Sequence, residues 1–355
     1  MNFRPQLDGL RFFAFLAVFL FHSTNNSEGP FAWGSDGVLL FFALSGFLIT
    51  RILMQSESGS LSHDLRIFYI RRTLRIFPLY YATLILLLIA GKLPDAVWHF
   101  FYAYNVRMFL AQVSAGPSHF WSLCVEEQFY ISYPLIFYFL PKGRRLMALA
   151  VLLVGSIALR TTLGQLYPGR QHVGALMPVA AEYLLLGAIA GYAELKGLWK
   201  LSGRLTFWLG VGGYLVALGS IEFARWLMTF GLPRLDRDLK AAAFALMVYG
   251  LWTIVDGPEK KLFSWKPFSW LGKISYGLYV FHVFAIAAVS RLEGRAPQFI
   301  LIPLAFAATV MTATASWYIY EERINGLKRL FPYRLKAASA ASNEPPAVTA
   351  AASAP

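Results

Sequence analysis

The sequence predicts an all-helical bundle that crosses a membrane about ten times and keeps both termini in the cytoplasm. Composition is the first indication: 57% of the residues are hydrophobic and only 14% are charged, whereas a typical soluble protein has about 25% charged residues. The second indication is that apolar residues form long blocks, such as Leu146–Leu159 and Phe299–Ala315. Lipid suits such a surface, since helices satisfy their own backbone hydrogen bonds there.

The apolar blocks define ten candidate spans, with polar sequence between them. A full crossing takes about 20 residues, so the shorter blocks are expected to extend into the flanking sequence. The predicted spans are residues 11–27, 36–54, 76–91, 119–140, 146–163, 176–193, 205–221, 241–255, 274–290 and 298–320. Segment 94–118 is aromatic and interrupted by Gly116-Pro117, and we interpret it as interfacial or re-entrant.

The placement of basic residues predicts the orientation. The net charge is +13, but the basic residues lie between the apolar blocks, where they mark the cytoplasmic side of a membrane protein. Nucleic-acid binding is therefore not expected.

The single cysteine, Cys124, excludes an internal disulfide and a cysteine-built metal site, and no metal site is predicted.

One membrane domain and one tail account for the chain. Residues 1–336 contain all the apolar blocks and are predicted to form the membrane domain. Residues 337–355 are mostly Ala, Ser and Pro with almost no charge. This composition predicts a disordered cytoplasmic tail.

Ionisable residues inside the predicted spans indicate a candidate site, because such residues are costly in lipid. His22 lies at the outer end of the first span and His282 in the middle of the ninth. Glu126 and Glu127 lie near the outer end of the fourth span, and Glu182 lies in the sixth. A lone intramembrane histidine is as often a satisfied polar group as a functional one. Two histidines and a glutamate pair in one protein favour function.

Five segments, in order, carry a family resemblance. Asp8-Gly9-Leu10-Arg11 leads through an apolar run to His22, and four motifs follow it. These are GVLLFFALSGFLIT (37–50), FYIRRTLRIFPLYY (68–81), HFWSLCVEEQFY (119–130) and ISYGLYVFH (274–282). The series resembles the acyltransferase 3 family of bacterial membrane O-acyltransferases. Two positions depart from that family: Leu39 replaces an acidic or polar residue, and Cys124 replaces a small apolar one.

The resemblance implies an enzyme of the bacterial inner membrane that acylates an envelope glycan or glycolipid. The acyl group, often acetyl, would come from cytoplasmic acetyl-CoA or another acyl-CoA, used as a co-substrate and not held as a permanent cofactor. The sequence leaves open the acceptor hydroxyl, the acyl length, direct transfer or a covalent intermediate, and the oligomeric state.

Four arginines are predicted to bind the donor. Arg71, Arg72 and Arg75 lie at the predicted inner mouth of the third span, where positive-inside topology alone explains many such clusters. Their spacing places Arg71 and Arg75 on one helix face, with Arg72 beside them. Guanidinium groups suit phosphates, of which coenzyme A has three. The resemblance favours donor binding by these residues and Arg11.

His22 is the predicted general base. It lies eleven residues beyond Arg11, roughly 16 Å along a helix, so a pantetheine arm could extend from inner arginines toward it. A neutral histidine can remove a proton from a sugar hydroxyl as that hydroxyl attacks the thioester. Glu126 or Glu127 is predicted to orient this histidine or to balance its charge.

Further polar residues form a predicted substrate and acyl pocket. Ser45, beside Gly46, and Ser122 are candidate nucleophiles for a covalent route, or small residues that allow close helix packing. The polar residues of the ninth span line the pocket or are merely satisfied within the bundle. The predicted pocket residues are Ser45, Trp121, Ser122, Tyr276, Tyr279 and His282.

Two other classes of function fit parts of the sequence. A transporter or flippase of a lipid-linked glycan would use the histidines and glutamates as proton relays. Arginine motifs on one side and the absence of an inverted repeat argue against it. A membrane scaffold would need no buried histidine or glutamate.

Overall fold

The computed structural model describes residues 4–24, 30–58, 60–220, 223 and 235–333. These residues form helices and no β-strand, which confirms the predicted all-helical class. Ten of the helices in this part of the chain have 15 or more residues: α1 (Pro5–Ser23), α2 (Asp36–Ser56), α3 (Leu61–Ile89), α4 (Trp121–Phe139), α5 (Arg145–Leu166), α6 (Met177–Lys196), α7 (Gly203–Gly219), α8 (Leu235–Thr253), α9 (Ser275–Val289) and α10 (Gln298–Ser316). The predicted tail, 337–355, lies outside the described residues.

Length and apolar composition identify a membrane protein. Five helical stretches among the described residues are long and apolar enough to cross a bilayer: Ala32–Ser56, Leu61–Ile89, Lys142–Leu166, Ser275–Leu292 and Gln298–Leu330. Large apolar side chains also lie on the outside of the bundle, including Phe139, Val154 and Met311, each more than 60% exposed. Such a surface is suited to lipid. Membrane crossing by the other predicted spans stays a prediction.

Helix α3 begins earlier than the predicted span. Its first residue is Leu61, whereas the apolar block begins near residue 76. The intervening residues are polar but include Leu, Ile and Arg, which favour helix. Apolar composition therefore located the lipid-facing half of α3 and missed the charged half. Segment 94–118 forms two short helices, Ala96–Phe100 and Tyr104–Ala111.

Glycines allow α2 and α6 to pack at close range. A Cβ atom added at Gly46 would collide with the carbonyl oxygen of Leu184, and one at Gly187 with that of Ala43. Small residues at such crossings are the usual device of membrane helices. Because Gly46 fixes this crossing, the adjacent Ser45 is held toward α4.

Helix α1 connects the two regions described below. It packs against α2, α9 and the short helices Pro258–Phe263 and Lys266–Lys273. Arg11 lies in its N-terminal half and His22 in its last turn. The two side chains therefore face different ends of the bundle.

Glu57, directly after α2, joins the chain to the start of α5. Its Oε1 lies 3.1 Å from Arg145 Nη2 and 3.4 Å from Lys142 Nζ. Burial by itself raises the pKa of Glu57, but the hydrogen bond and charge of Arg145, with Lys142, outweigh it and leave the pKa below its ordinary value. Glu57 is thus ionised in the folded protein at neutral pH.

Candidate active site

A cavity of about 110 Å³, here called the arginine cavity, lies between α1, α2, α3, α4 and α9. Three basic side chains, two carboxylates and several hydroxyls line it. The predicted site residues among the lining are Arg11, Arg72, Arg75, Glu126, Glu127, Ser45, Ser122, Tyr276 and Tyr279. The fold thus brings together nine of the predicted residues, which come from five helices.

The charges of the arginine cavity are only partly matched. Arg11 is paired with Asp8 on the same helix. Arg72 stacks on the ring of Tyr130, 5.2 Å from its centroid. Among the described residues, neither Arg72 nor Arg75 has a carboxylate oxygen within 4.0 Å. Cations held in a protein cavity without a carboxylate partner favour the binding of an anionic ligand.

The two glutamates differ in their partners. Glu126 Oε1 accepts hydrogen bonds from Ser45 Oγ at 2.5 Å and from the Tyr130 hydroxyl at 3.1 Å. Glu127 Oε1 is buried and has no hydrogen-bond partner among the described residues. An unpartnered buried carboxylate oxygen is costly. It is therefore available to accept a hydrogen bond from a ligand.

Arg71 is turned away from the arginine cavity. Its Nη1 donates to the backbone carbonyl oxygens of Lys328 at 2.7 Å and Phe331 at 2.9 Å. Residues three and four apart are both neighbours on a helix, and packing selects Arg72 and Arg75 for the cavity. The predicted grouping of Arg71 with Arg75 is therefore not the arrangement in the structure.

A second and larger cavity, here called the histidine cavity, has a volume of about 600 Å³. It lies at the opposite end of α1, beside the starts of α2 and α8. Its lining combines apolar surface with polar and charged side chains, and it includes His22, Asp36, His119, Trp121, His172, Arg237 and Lys240, together with Leu39. The size and polarity of this cavity suit a hydroxyl-rich ligand.

Ion pairs neutralise the wall of the histidine cavity. Lys240 Nζ donates to Asp36 Oδ2 at 2.7 Å. The buried carboxylate of Glu182 lies 3.2 Å from Arg237 and 3.0 Å from Arg160. Glu182 is thus ion-paired within the bundle, and these pairs join α2, α5, α6 and α8.

His22 and His282 form a hydrogen-bonded pair. His282 Nδ1 lies 2.6 Å from the carbonyl oxygen of Tyr279, and His22 Nδ1 lies 3.0 Å from that of Val18. A carbonyl oxygen only accepts, so both Nδ1 atoms carry the proton in the neutral rings. His22 Nδ1 then shares its one proton between the Val18 carbonyl oxygen and His282 Nε2, which accepts at 3.1 Å. His22 Nε2 is left with its lone pair and has no partner among the described residues.

His119 is a site residue that sequence reasoning missed. Its ring centroid lies 5.2 Å from that of His282, and it lines the histidine cavity. Its Nε2 is 3.3 Å from the carbonyl oxygen of Val280, while Nδ1 is buried without a partner among the described residues. The available signal was its place at the start of the HFWSL motif, directly before an apolar span.

A thin wall separates the two cavities. His119 and Trp121 face the histidine cavity, whereas the next residue, Ser122, faces the arginine cavity. Ser122 Oγ lies 2.6 Å from the Tyr279 hydroxyl, which donates to the carbonyl oxygen of His119 at 2.7 Å. The wall is therefore the first turn of α4 held to α9.

Three predicted residues have partners other than those expected. Glu126 and Glu127 line the arginine cavity, while the ring partner of His22 is His282. His282 therefore lies beside His22 and not in the arginine cavity with Tyr276 and Tyr279. Trp121 faces the histidine cavity. Among the described residues, no group of three or more His, Cys, Asp or Glu side chains is placed to hold a metal ion.

Comparison with known proteins places this site in a family. The chain is 31% identical to a peptidoglycan O-acetyltransferase of Listeria monocytogenes, over 92% of this chain and 57% of the relative. It is 29% identical to a putative peptidoglycan O-acetyltransferase of Bacillus subtilis, over 94% of this chain and 57% of the relative. An O-acetyltransferase of Staphylococcus aureus is 27% identical, over 91% of this chain and 57% of the relative.

The chain thus spans a little over half the length of these relatives. No solved structure matches it. The model of the acyltransferase 3 family, described as an acyltransferase domain, matches residues 4–321, nearly the whole chain. The protein is a member of the acyltransferase 3 family, and its homologues are peptidoglycan O-acetyltransferases.

Proposed function

We propose that the protein transfers an acetyl group from cytoplasmic acetyl-CoA to a hydroxyl of an envelope glycan, with His22 as general base. The observation that carries this proposal is the pairing of two cavities across one thin wall. One cavity presents arginines without carboxylate partners, and the other presents the free Nε2 of His22. Acetyl as the acyl group is supported by the names of the relatives.

The arginine cavity is the proposed donor site. Its volume of about 110 Å³ fits part of the pantetheine arm and not the nucleotide. The phosphates would therefore remain at the mouth, bound by Arg72 and Arg75, with Arg11 of α1 lining the same cavity. Glu127 Oε1 is suited to accept a hydrogen bond from an amide N–H of that arm.

The histidine cavity is the proposed acceptor site. His22 Nε2 removes the proton of the acceptor hydroxyl, whose oxygen attacks the thioester carbonyl carbon. An ester bond forms, the carbon–sulfur bond breaks, and the proton on His22 passes to the departing thiolate. Neutral His282 holds His22 in the tautomer that this step needs. Reaction requires the thioester to reach His22 across the wall at Trp121, to within about 3–3.5 Å.

The topology belongs to the same proposal. We place ten crossings in the bacterial inner membrane, with the termini, the arginine-rich start of α3 and the donor mouth in the cytoplasm. The last turn of α1 and the histidine cavity then face outward. Donor and acceptor would meet from opposite sides of the bilayer. Residues 1–336 would form this membrane domain.

An envelope glycan is the acceptor class that the relatives support. Their names give peptidoglycan as the material on which they act. Because this chain spans only 57% of their length, we propose a glycan hydroxyl as acceptor without assigning the polymer. A proton-coupled flippase remains the alternative. Release of free coenzyme A separates the two, since only the transferase produces it.

Oriented proteoliposomes test the proposal. Acetyl-CoA is supplied on the side of the inner loops, and an oligosaccharide acceptor on the other side. Labelling of introduced cysteines, after replacement of Cys124, establishes the orientation. We expect free coenzyme A and acetylated acceptor from the wild type, and a 10²–10⁴-fold slower rate from His22→Ala. Acetylation only when both substrates share the inner compartment would refute the two-sided geometry. If no thioester turnover is seen in both arrangements, the transferase assignment would be refuted.

A further inference from the structure

The segment that follows α10 packs against α3. Residues Leu327–Leu330 form a short helical turn, and the chain continues to Tyr333. Arg71 fixes this segment through the carbonyl oxygens of Lys328 and Phe331, and its guanidinium carbon lies 4.6 Å from the Tyr333 ring centroid. Arg71 therefore acts as an anchor for what we call the C-terminal clasp, residues 327–333.

The clasp places Lys328 beside the arginine cluster. Lys328 is half-buried, its carbonyl oxygen lies 2.7 Å from Arg71 Nη1, and the positive charges of Arg75, Arg72 and Arg71 act on its ammonium group. Its Nζ donates to Asn325 Oδ1 at 2.5 Å, and no carboxylate oxygen lies within 4.0 Å of it among the described residues. Two carboxylates of this region have other partners: Asp8 with Arg11, and Glu321 with Ser316.

Like charges held together at partly buried positions repel one another unless an anion lies between them. Arg72, Arg75 and Lys328 make such a group, contributed by two distant parts of the chain. An ammonium group is a compact phosphate ligand, whereas a guanidinium group binds in a fork. The group therefore suits a ligand with more than one phosphate.

We propose that Lys328, presented by the clasp, is a phosphate ligand of the donor site and acts together with Arg72 and Arg75. This inference rests on the proposed function for the identity of the donor. The shared chemistry is a cluster of phosphates, which a nucleotide or an anionic lipid headgroup could supply. The clasp would thereby make the C-terminal segment part of the donor site.

Binding measurements in phosphatidylcholine nanodiscs test the assignment. The ligands are acetyl-CoA, acetyl-3′-dephospho-CoA and acetyl-pantetheine, which has no nucleotide phosphates. The variants are Lys328→Ala and Lys328→Arg, with Arg329→Ala as a control in the adjacent, exposed position. We expect Lys328→Ala to bind acetyl-CoA on the order of tenfold more weakly. Lys328→Arg should bind nearly normally, and acetyl-pantetheine should bind equally to all four proteins.

The results that would contradict these expectations lead to different conclusions. Unchanged acetyl-CoA affinity in Lys328→Ala, or equal losses for acetyl-CoA and acetyl-pantetheine, would overturn the phosphate role. If Lys328→Ala instead loses only the thermal stabilisation given by added phosphatidylglycerol, the phosphate comes from lipid and the donor assignment is overturned. A wild type that binds no acetyl-CoA would remove the proposed function itself.

A double-mutant cycle tests the anchor. Arg71→Ala should release the clasp and weaken acetyl-CoA binding through Lys328. The effects of Arg71→Ala and Lys328→Ala should then be less than additive, because the two residues act through one contact. Fully additive effects would overturn the anchoring role of Arg71.

Discussion

His282 Nε2 accepts a hydrogen bond from His22 Nδ1 over 3.1 Å, although the two residues lie 260 positions apart in the chain. The carbonyl oxygen of Tyr279 keeps the proton of His282 on Nδ1. The pair therefore leaves one free lone pair, on His22 Nε2. In this arrangement an imidazole takes the orienting place that a carboxylate has in other histidine-based sites.

The role of His282 can be tested with a pair of variants. His282→Leu removes the acceptor of the His22 hydrogen bond, and we expect kcat to fall roughly tenfold or more. His282→Gln offers an amide oxygen in its place and should retain more activity. The KM values for donor and acceptor should not change, because His282 is fully buried and lines neither the arginine cavity nor the histidine cavity. Equal kcat losses in both variants, with a lowered Tm, would mean that His282 only packs.

Arg72 and Arg75 should contribute to donor binding, whereas the exposed Arg66 of the same helix should not. Arg75→Lys and Arg72→Lys keep the charge but lose the fork that binds phosphate oxygens in pairs. We expect each to weaken acetyl-CoA binding on the order of tenfold and to leave acceptor affinity unchanged. Arg66→Lys, at an exposed position of the same helix, is the matched control. Donor titrations of all three variants that overlay the wild type would leave only a topological role for the cluster.

Close packing of α2 on α6 predicts a stability effect. Gly46→Ala places a methyl group against the carbonyl oxygen of Leu184, and the helices must separate. We expect a loss of about 1–3 kcal/mol, read as a lower Tm in detergent. Gly212→Ala is the control, since a Cβ there meets no atom within 4 Å. The prediction fails if the two variants melt at the same temperature.

Glu57 predicts a pH-dependent part of stability. Its folded-state pKa is depressed, so the stabilisation is fully present above the pKa of an unfolded glutamate, about 4.3. It is lost as the pH falls through the folded-state value. We expect Glu57→Gln to melt below the wild type at pH 7, with the difference shrinking below about pH 4. Glu293→Gln, at an exposed position, should show no such trend. A constant difference between Glu57→Gln and the wild type would contradict the ion pair.

Helix positions were largely predictable because lipid demands continuous apolar sequence. The block Leu146–Leu159 lies within α5, and the predicted span 36–54 nearly coincides with α2. The start of α3 was not predictable in this way, because its charged half lies outside the apolar block but belongs to the same helix. Hydropathy records contact with hydrocarbon, whereas backbone hydrogen bonding continues into the polar region.

The site was predictable in its residue types and less so in its contacts. Arg72, Arg75 and Glu126 do converge in one cavity. Sequence spacing could not tell whether Arg71 or Arg72 faces the arginine cavity together with Arg75. Both are neighbours of Arg75 on the helix surface, and only tertiary packing decides between them. The partner of His22 was also hidden, since contacts between α1 and α9 are set by the tertiary fold. The motif residue His119 carried a signal in its position, and the clasp residue Lys328 looked like an ordinary loop charge.

The separation of His22 and His282 has a consequence for biosynthesis. His22 leaves the ribosome 260 residues before His282. At about 5–20 residues per second, roughly 13–50 s pass between them. Throughout that interval the nascent chain contains His22 without its hydrogen-bond partner His282. Under the proposed function, full activity would therefore begin only when α9 has packed beside α1.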